Sequence, residues 1–264
     1  MGRWLYICAL AILPAACAQK PAPFDNRVSA VLTRMASSNL ATREAAFEDI
    51  LDIIAEGQQP ADQVDYPHAL EAFFKRRPDQ ADRVKLGLIS LLKADNDAIM
   101  GPNASEKNFT EGDSEHYAQA IDVVRSLNDE RAIPALVGAI STGMMVIEGI
   151  LKYGEKALDP VLAQFHNPRP EIRSSAITVA VAILRMKNDA ASRSQIIAVI
   201  RAAITDPEFL VRSSALRGIE DPGDWKPFVP ALQEMAEHDA FIVPDESDYP
   251  LRVKAKELLD KIAK

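Results

Sequence analysis

Apolar residues recur along this chain with the spacing of amphipathic helices. Near the N-terminus two segments place them at i, i+3, i+4 and i+7, which lines one face of an α-helix. Ser38 and Asn39 separate the two segments, so the pattern predicts a helix pair. Short helices are predicted around residues 70–74 and 84–92, and a regular helical array from about residue 115. The apolar positions of the first pair are Val28, Val31, Leu32 and Met35, then Phe47, Ile50, Leu51 and Ile54.

One phrase occurs twice in the second half of the chain: PEIRSSAI begins at Pro170, and PEFLVRSSAL begins at Pro207. Asn167-Pro168 precedes the first phrase, and Asp206-Pro207 opens the second. Asn and Asp are favoured helix N-caps, and proline is favoured at the first helical position, where its missing N–H is not needed. The pattern therefore predicts that a helix starts at each of these dipeptides.

Each phrase continues with an apolar residue, an arginine, two small residues and an alanine. A weaker copy spans residues 251–255, and an echo, Thr42-Arg43-Glu44-Ala45-Ala46, lies near the N-terminus. Arg173, Arg212 and Arg252 are 39 and 40 residues apart. A fixed period near 40 in a helical chain is typical of a solenoid of helix pairs.

The segments NDERAIPALVGAI (residues 128–140) and YGEKALDPVLAQF (residues 153–165) resemble the first helices of HEAT repeats, with Pro134 and Pro160 where such helices often kink. The phrases at Arg173, Arg212 and Arg252 resemble the second helices. The resemblance covers about residues 115–264 and implies an all-α solenoid of antiparallel helix pairs. It also implies an Asp–Arg ladder between repeats, to which Asp206 and Arg212 conform and in which Asn167 replaces an Asp. Fold resemblance of this kind carries no specific function.

The first 18 residues have the features of a signal peptide. Arg3 precedes an apolar run of ten residues, Trp4 to Leu13, which is half the length needed to span a bilayer. Ala16-Cys17-Ala18 supplies the small residues of a cleavage site. Alternatively, the same region resembles a bacterial lipobox in which Cys17 is lipidated, although Pro14 departs from that pattern. Both interpretations predict export to the periplasm or beyond, as a soluble protein or as an outer-membrane lipoprotein.

The charge of the chain argues against a nucleic-acid partner, and the positions of its cysteines argue against disulfides. The chain has 30 Lys+Arg against 38 Asp+Glu, a net charge of −8. Nucleic-acid binding requires clustered basic residues, and the only dense cluster is Lys75-Arg76-Arg77, which the neighbouring acidic residues make more typical of a solvated helix end. The two cysteines, Cys8 and Cys17, both lie in the leader, so the folded body is predicted to have no disulfide.

A long polar segment, residues 93–116, is predicted to be a loop, and loops of that length are often functional. Asp113, Glu115 and His116 at its end are the candidates for a metal site, although such residues also serve as caps at helix starts. Asp95-Asn96-Asp97 begins like a calcium loop, but Ile99 and Met100 occupy positions that need an oxygen ligand and a glycine.

Two further features are assigned to the core. The segment 237–250 splits the last helix pair, and its residues 241–243, Phe-Ile-Val, are predicted to seal the end of the core. Trp225 precedes an amphipathic helix and is predicted to pack as a staple against it.

The sequence contains no H-E-x-x-H, C-x-x-C, G-x-S-x-G or glycine-rich phosphate loop. We therefore expect three segments: a signal peptide at 1–18, irregular helical repeats at 19–114 and a HEAT-like array at 115–264. The expected function is a non-catalytic scaffold without a cofactor, which binds another protein through its concave face or its long loop. The alternatives are a metal-dependent hydrolase or sensor at the 93–116 segment and a lipid-anchored structural protein.

Overall fold

The computed structural model describes residues 24–56, 65–101, 111–219, 226–242 and 249–263. Residues 1–18, which include Cys17, and Trp225 lie outside these ranges. All regular secondary structure in them is helical, so the described protein is all-α, as predicted. None of its helices combines the length and the apolarity needed to cross a lipid bilayer.

The predicted N-terminal helix pair is confirmed, and the predicted short helix around residues 84–92 is longer than expected, with 22 residues. Short 3-10 turns at residues 130–132, 154–157, 164–166 and 226–228 supplement the α-helices. The α-helices of the described ranges are α1 (Phe24–Met35), α2 (Leu40–Ala55), α3 (Tyr66–Arg76), α4 (Pro78–Ile99), α5 (Glu111–Ser126), α6 (Ile133–Gly138), α7 (Met144–Leu151), α8 (Leu158–Ala163), α9 (Pro170–Lys187), α10 (Ala190–Ala203), α11 (Phe209–Ile219), α12 (Val229–His238) and α13 (Pro250–Ile262).

Asn and Asp side chains start three of these helices. The Asn39 side chain accepts a hydrogen bond from the backbone N–H of Thr42 at the start of α2. Asp65 and Asp189 cap α3 and α10 in the same way. Each cap satisfies a backbone donor that has no partner within the helix, which fixes where the helix begins.

The predicted starts of α9 and α11 were two residues too early. Asn167 and Asp206 do not cap these helices directly. Their side chains accept hydrogen bonds from the N–H two residues later, at Arg169 and Glu208, and so form Asx turns. The helices begin after the turns, at Pro170 and Phe209.

The resemblance to HEAT repeats predicts that Pro134 and Pro160 kink long helices, and this prediction is wrong. Each lies near the start of a six-residue α-helix, α6 or α8, that continues from a 3-10 turn. Because proline lacks an N–H, it is tolerated in a first helical turn and breaks a helix interior. The two prolines therefore divide each predicted helix into a 3-10 turn and a short α-helix.

The predicted loop at residues 93–116 is also shorter than expected. Residues 93–99 belong to α4, and residues 111–116 belong to α5. Leu91, Leu92, Asp95 and Asn96 are all buried, so the last turns of α4 remain helical because that side of the helix packs in the interior.

The helices pack in two series. Within pairs, α1 packs on α2, α4 on α5, α6 on α7, α8 on α9, α10 on α11 and α12 on α13, most extensively in the last pair. We call the earlier member of each pair the first helix and the later member the second helix. First helices contact one another from α1 to α4, α6 and α8, and second helices from α5 to α7, α9, α11 and α13. The additional helix α3 contacts α2, α4 and α5.

Two apolar clusters form the interior and share α9. The larger cluster runs from Val28 to Leu184, and the smaller includes Ile177, Val181 and residues from Val199 to Leu258. Helix α9 is therefore buried on two sides, which explains why its sequence is apolar almost all round.

Candidate functional site

Arginines in the second helices connect successive helix pairs in the C-terminal half. Arg173 of α9 donates from Nε and Nη2 to the two carboxylate oxygens of Asp206, at 3.0 and 2.9 Å. Its Nη1 donates to the carbonyls of Asn167 and Pro168, in the turn before its own helix. One guanidinium thus binds its own turn and the turn that ends the next first helix, α10.

The same arrangement repeats one pair later. Arg212 of α11 donates to the carboxylate of Asp239 at 2.7 and 3.3 Å, and to the carbonyls of Asp206 and Pro207 at 2.9 and 2.7 Å. Arg252 of α13 then donates to the backbone carbonyl of Asp239 at 2.6 Å and lies over the ring of Tyr249. Arg173, Arg212 and Arg252 therefore form a continuous chain of bonds through Asp206 and Asp239.

The charges in this chain are mostly shielded from solvent. The side chains of Arg212 and Asp239 are 13% and 5% exposed. Burial alone would raise the pKa of the Asp206 carboxyl, but hydrogen bonds from Arg173 and from the N–H of Glu208 outweigh it, so the pKa lies below its usual value. The carboxylate and the guanidinium therefore hold each other in their charged forms.

Arg43 forms an equivalent connection near the N-terminus. It lies in α2, and its Nε donates to Asp95 of the next first helix, α4, at 2.7 Å. Its Nη1 donates to the carbonyl of Ser37, six residues earlier, as Arg173 and Arg212 do to theirs. We call Arg43, Arg173, Arg212 and Arg252, with Asp95, Asp206 and Asp239, the arginine ladder.

The Arg43–Asp95 connection differs from the others in its burial. Arg43 is 3% exposed and Asp95 is 1% exposed. Burial raises the pKa of the Asp95 carboxyl, and the guanidinium of Arg43 opposes that shift. Within the described ranges, Nη2 of Arg43 has no acceptor, whereas both terminal nitrogens of Arg173, Nη1 and Nη2, donate hydrogen bonds. This connection is therefore buried more deeply and is bonded less completely.

A second buried polar network lies beside it. Asn96 donates from its amide to the carbonyl of Ala135 at 2.7 Å and accepts a hydrogen bond from the hydroxyl of Tyr117. Burial raises the pKa of Tyr117. A Cβ added at Gly138 would lie 2.5 Å from Nδ2 of Asn96, so this glycine leaves room for the amide. The network joins α4, α5 and α6.

The metal candidates are at the start of α5. His116 is half-buried, packs edge-on against Phe47 with ring centroids 4.7 Å apart, and places Nδ1 3.6 Å from Oε1 of Glu48. Glu115 is exposed, and the side chain of Asp113 lies outside the described residues. Across the described ranges, no three His, Cys, Asp or Glu side chains are grouped so that they could hold a metal ion. The structure thus brings His116 to α2, with its ring in the packing between the two helices.

The segment after α12 behaves only partly as predicted. Phe241 stacks on Phe209 with ring centroids 3.7 Å apart, so it does cover the core. Ile242 is 43% exposed, and residue 243 lies outside the description. The predicted seal is therefore formed by Phe241 and not by Ile242.

The second helices leave one side open. Each interior second helix has neighbours of its own series on two sides and a first helix on a third, so a single side remains for solvent. We call this the second-helix face. The exposed positions of α5, α7, α9 and α11 include both polar and apolar residues. The polar ones include Glu115, Glu148, Thr178 and Arg217, and the large apolar ones are Met144, Met145, Met186 and Leu210. Tyr66 lies near the N-terminal part of this face, where burial and the charges of Glu48 and Asp52 raise its pKa.

Sequence reasoning identified the arginines at the repeat positions but missed two features. In the sequence, Asp95 and Asn96 belong to an incomplete calcium-loop pattern, and no local pattern marks either residue as buried. The available signal was the echo at Arg43, since a ladder arginine requires a partner near the end of the next first helix.

Comparisons with protein-family models, curated proteins and solved structures found no match to this chain. The class defined by the described residues is therefore stated from their structure: an all-α protein of successive helix pairs, some of which are connected by arginine–aspartate bonds.

Proposed function

We propose that this protein is a non-catalytic scaffold, a HEAT-like solenoid that binds another protein through its second-helix face. The observation that carries the proposal is the arginine ladder together with that face. The ladder fixes α9, α11 and α13 in register, and the exposed positions of these helices include polar residues, such as Thr178 and Arg217, and apolar Val253. Stacked helix pairs of this kind present extended surfaces that suit protein partners.

The sequence in which the helices contact one another along the chain supports the solenoid arrangement. In a solenoid each unit touches only its neighbours in sequence. Here first helices contact the next first helix from α1 to α8, and second helices contact the next second helix from α5 to α13. The helix α3, inserted between the first two pairs, departs from the regular pattern. The N-terminal part is thus a less regular continuation of the same array.

The test is capture of a partner, followed by charge reversal at defined positions. The full chain, bound to a resin through a C-terminal tag, is crosslinked to an envelope extract from the source cells, and captured proteins are identified by mass spectrometry. Binding of a captured protein is then measured with Glu148→Lys, on the second-helix face of α7, and with the matched control Glu234→Lys, on the exposed side of the first helix α12.

We expect Glu148→Lys to weaken binding at least tenfold, with an unchanged melting temperature, and Glu234→Lys to have no effect. A tenfold loss corresponds to about 1.4 kcal/mol, which is reasonable for a charge reversed within an interface. Equal effects of the two variants, or no captured protein with a folded bait, would contradict the proposal.

We also propose that the protein is exported, with a signal peptide at residues 1–18. Two mature N-termini are open, Gln19 after cleavage and a lipidated Cys17. Mass spectrometry of the protein from the source cells decides between them. A Gln19 start places the scaffold free in the periplasm or outside, whereas a diacylglyceryl Cys17 places it on a membrane surface. Retention of Met1 and the whole leader would contradict export.

A further inference from the structure

We propose that the helix array bends at the junctions α5–α7 and α7–α9, where the arginine ladder is interrupted, and is held in fixed register from α9 to α13. We call the two junctions the ladder gap. The inference concerns a conformational device in the fold and does not depend on the proposed partner.

Both members of a ladder connection are replaced at the gap. Arg43, Arg173 and Arg212 are each the fourth residue of their helices, whereas the fourth residue of α7 is Ile147. The acceptor of an arginine at that position would lie after α8, where Asn167 stands in place of an Asp. Asn167 instead bonds Gln164 and the N–H of Arg169, within its own turn.

Helix α5 also lacks an arginine at the ladder position. The fourth residue of α5 is Ser114, and α7 contains neither an arginine nor an aspartate. In the described part of the chain, no arginine–aspartate pair joins α5 to α7 or α7 to α9. These junctions combine apolar packing with a half-exposed lysine–glutamate pair, Lys187–Glu155, between α9 and the turn after α7. Helices α9, α11 and α13 are connected in addition by the directional bonds of Arg173, Arg212 and Arg252.

This difference matters because the two kinds of contact resist motion differently. Apolar contact is non-directional, so two helices can slide by a small amount and remain packed. A bidentate guanidinium–carboxylate bond fixes both distance and angle, so the same sliding breaks it. Junctions with ladder bonds should therefore be stiffer than junctions without them.

The local backbone at the gap favours the same conclusion. Helices α6, α7 and α8 have six, eight and six residues, the shortest α-helices of the described array. Gly143 and Gly154, on either side of α7, have φ of 140° and 54°. A Cβ added at either would meet no atom within 4 Å, so these glycines serve the backbone conformation and not a close contact.

The core limits how far the array bends. Leu136, Ile150 and Val161 are fully buried in the cluster that continues across the gap. The motion is thus a shear of packed helices, with shifts of about 1–2 Å at each junction, and not the opening of a cleft. Such shear changes the curvature of the second-helix face between its N-terminal and C-terminal parts.

The test measures two matched distances by pulsed electron–electron double resonance. Spin labels are attached through an introduced keto amino acid, which leaves Cys8 and Cys17 in place. One pair of labels, at residues 115 and 178, spans the two gap junctions from α5 to α9. The other pair, at residues 178 and 256, spans the two ladder junctions from α9 to α13. All three sites are exposed, and helices packed at 8–10 Å place each pair roughly 20 Å apart.

We expect the 115–178 distance distribution to be about twice as broad as the 178–256 distribution. Asp206→Asn, which keeps the shape of the side chain and removes its charge, should broaden the 178–256 distribution and leave the 115–178 distribution unchanged. Equal widths in the unmodified protein would overturn the proposal, and so would a folded Asp206→Asn variant with no broadening. If that variant does not fold, the comparison in the unmodified protein decides alone.

Discussion

Replacing Arg212 by methionine measures what one ladder connection contributes to stability. Methionine keeps much of the apolar stem and removes the guanidinium, with its bonds to the Asp239 carboxylate at 2.7 and 3.3 Å and to two backbone carbonyls at 2.9 and 2.7 Å. The Asp239 side chain, 5% exposed, then keeps the N–H of Phe241 as its donor in the described structure. The substitution leaves a buried carboxylate with one of its three former hydrogen bonds.

The expected loss follows from the burial of the pair. Removing one partner of a fully buried ion pair costs about 3–5 kcal/mol, mainly because the other charge stays desolvated. Arg212 is 13% exposed and Asp239 retains a backbone donor, so the cost should be lower, about 2–3 kcal/mol. At about 2–4 °C per kcal/mol for a chain of this size, the melting temperature should fall by about 5–10 °C.

The assay is urea and thermal unfolding followed by circular dichroism at 222 nm, with Arg34→Met as the matched control. Arg34 pairs with Asp49 on the surface, where the side chains are 43% and 49% exposed, and such pairs contribute about 0–1 kcal/mol. If the two variants differ by less than about 0.5 kcal/mol, the ladder is worth no more than a surface ion pair and the reasoning is refuted.

Three further outcomes are expected. The hydroxyls of Ser174 and Ser214 are buried 2.6 Å apart; Ser174→Ala alone should destabilise by about 1 kcal/mol in urea unfolding, and adding Ser214→Ala should cost less than a second such loss. Gly138→Ala should lower the free energy of unfolding by about 1–3 kcal/mol, because its Cβ would displace the Asn96 amide. In a chain that already carries Asn96→Ala, adding Gly138→Ala should leave the melting temperature unchanged. Hydrogen bonds from the Arg131 side chain lower the pKa of Asp129 to about 2. Its stabilisation is therefore fully present above about pH 4 and lost as the pH falls toward 2, so Asp129→Asn should flatten the acid limb of a stability–pH curve; an unchanged limb would contradict this.

The sequence predicted features that depend on local periodicity. The helix pair at α1 and α2 and the arginines at the repeat positions follow from spacing along the chain. It did not predict that Asp95 pairs with Arg43, because the two residues are 52 positions apart and the acidic run around Asp95 looks like a solvated loop. The polar end of α4 is buried by other helices, and local patterns do not contain that information.

The position of the helix starts shows the same limit at shorter range. Asn-Pro and Asp-Pro before α9 and α11 fit both a capped helix start and an Asx turn followed by a helix. The choice between them is made by Arg173 and Arg212, which bond the carbonyls of these turns and hold them out of the helices. Each arginine bonds carbonyls five and six residues before it and is itself held by an aspartate of the following helix pair. The position of the helix start is therefore decided by tertiary contacts.

The ladder also explains why the phrase R-S-S-A occurs twice. Ala176 and Ala215 are fully buried, and Ser174 bonds Ser214, so α9 and α11 approach each other through small side chains. Small side chains bury little apolar area per residue, and burial is the main non-directional source of stability. The arginine in the same phrase supplies directional bonds that compensate for that smaller area. Helix α7, with the sequence MMVIEGIL, has neither the arginine nor the serines, and it docks through buried Val146 and Ile150 and through Gly149, which lies against Arg125 of α5. The repeated phrase thus supplies the residues by which one second helix packs on the next. We expect the helix array to bend most easily at α7, which lacks the phrase.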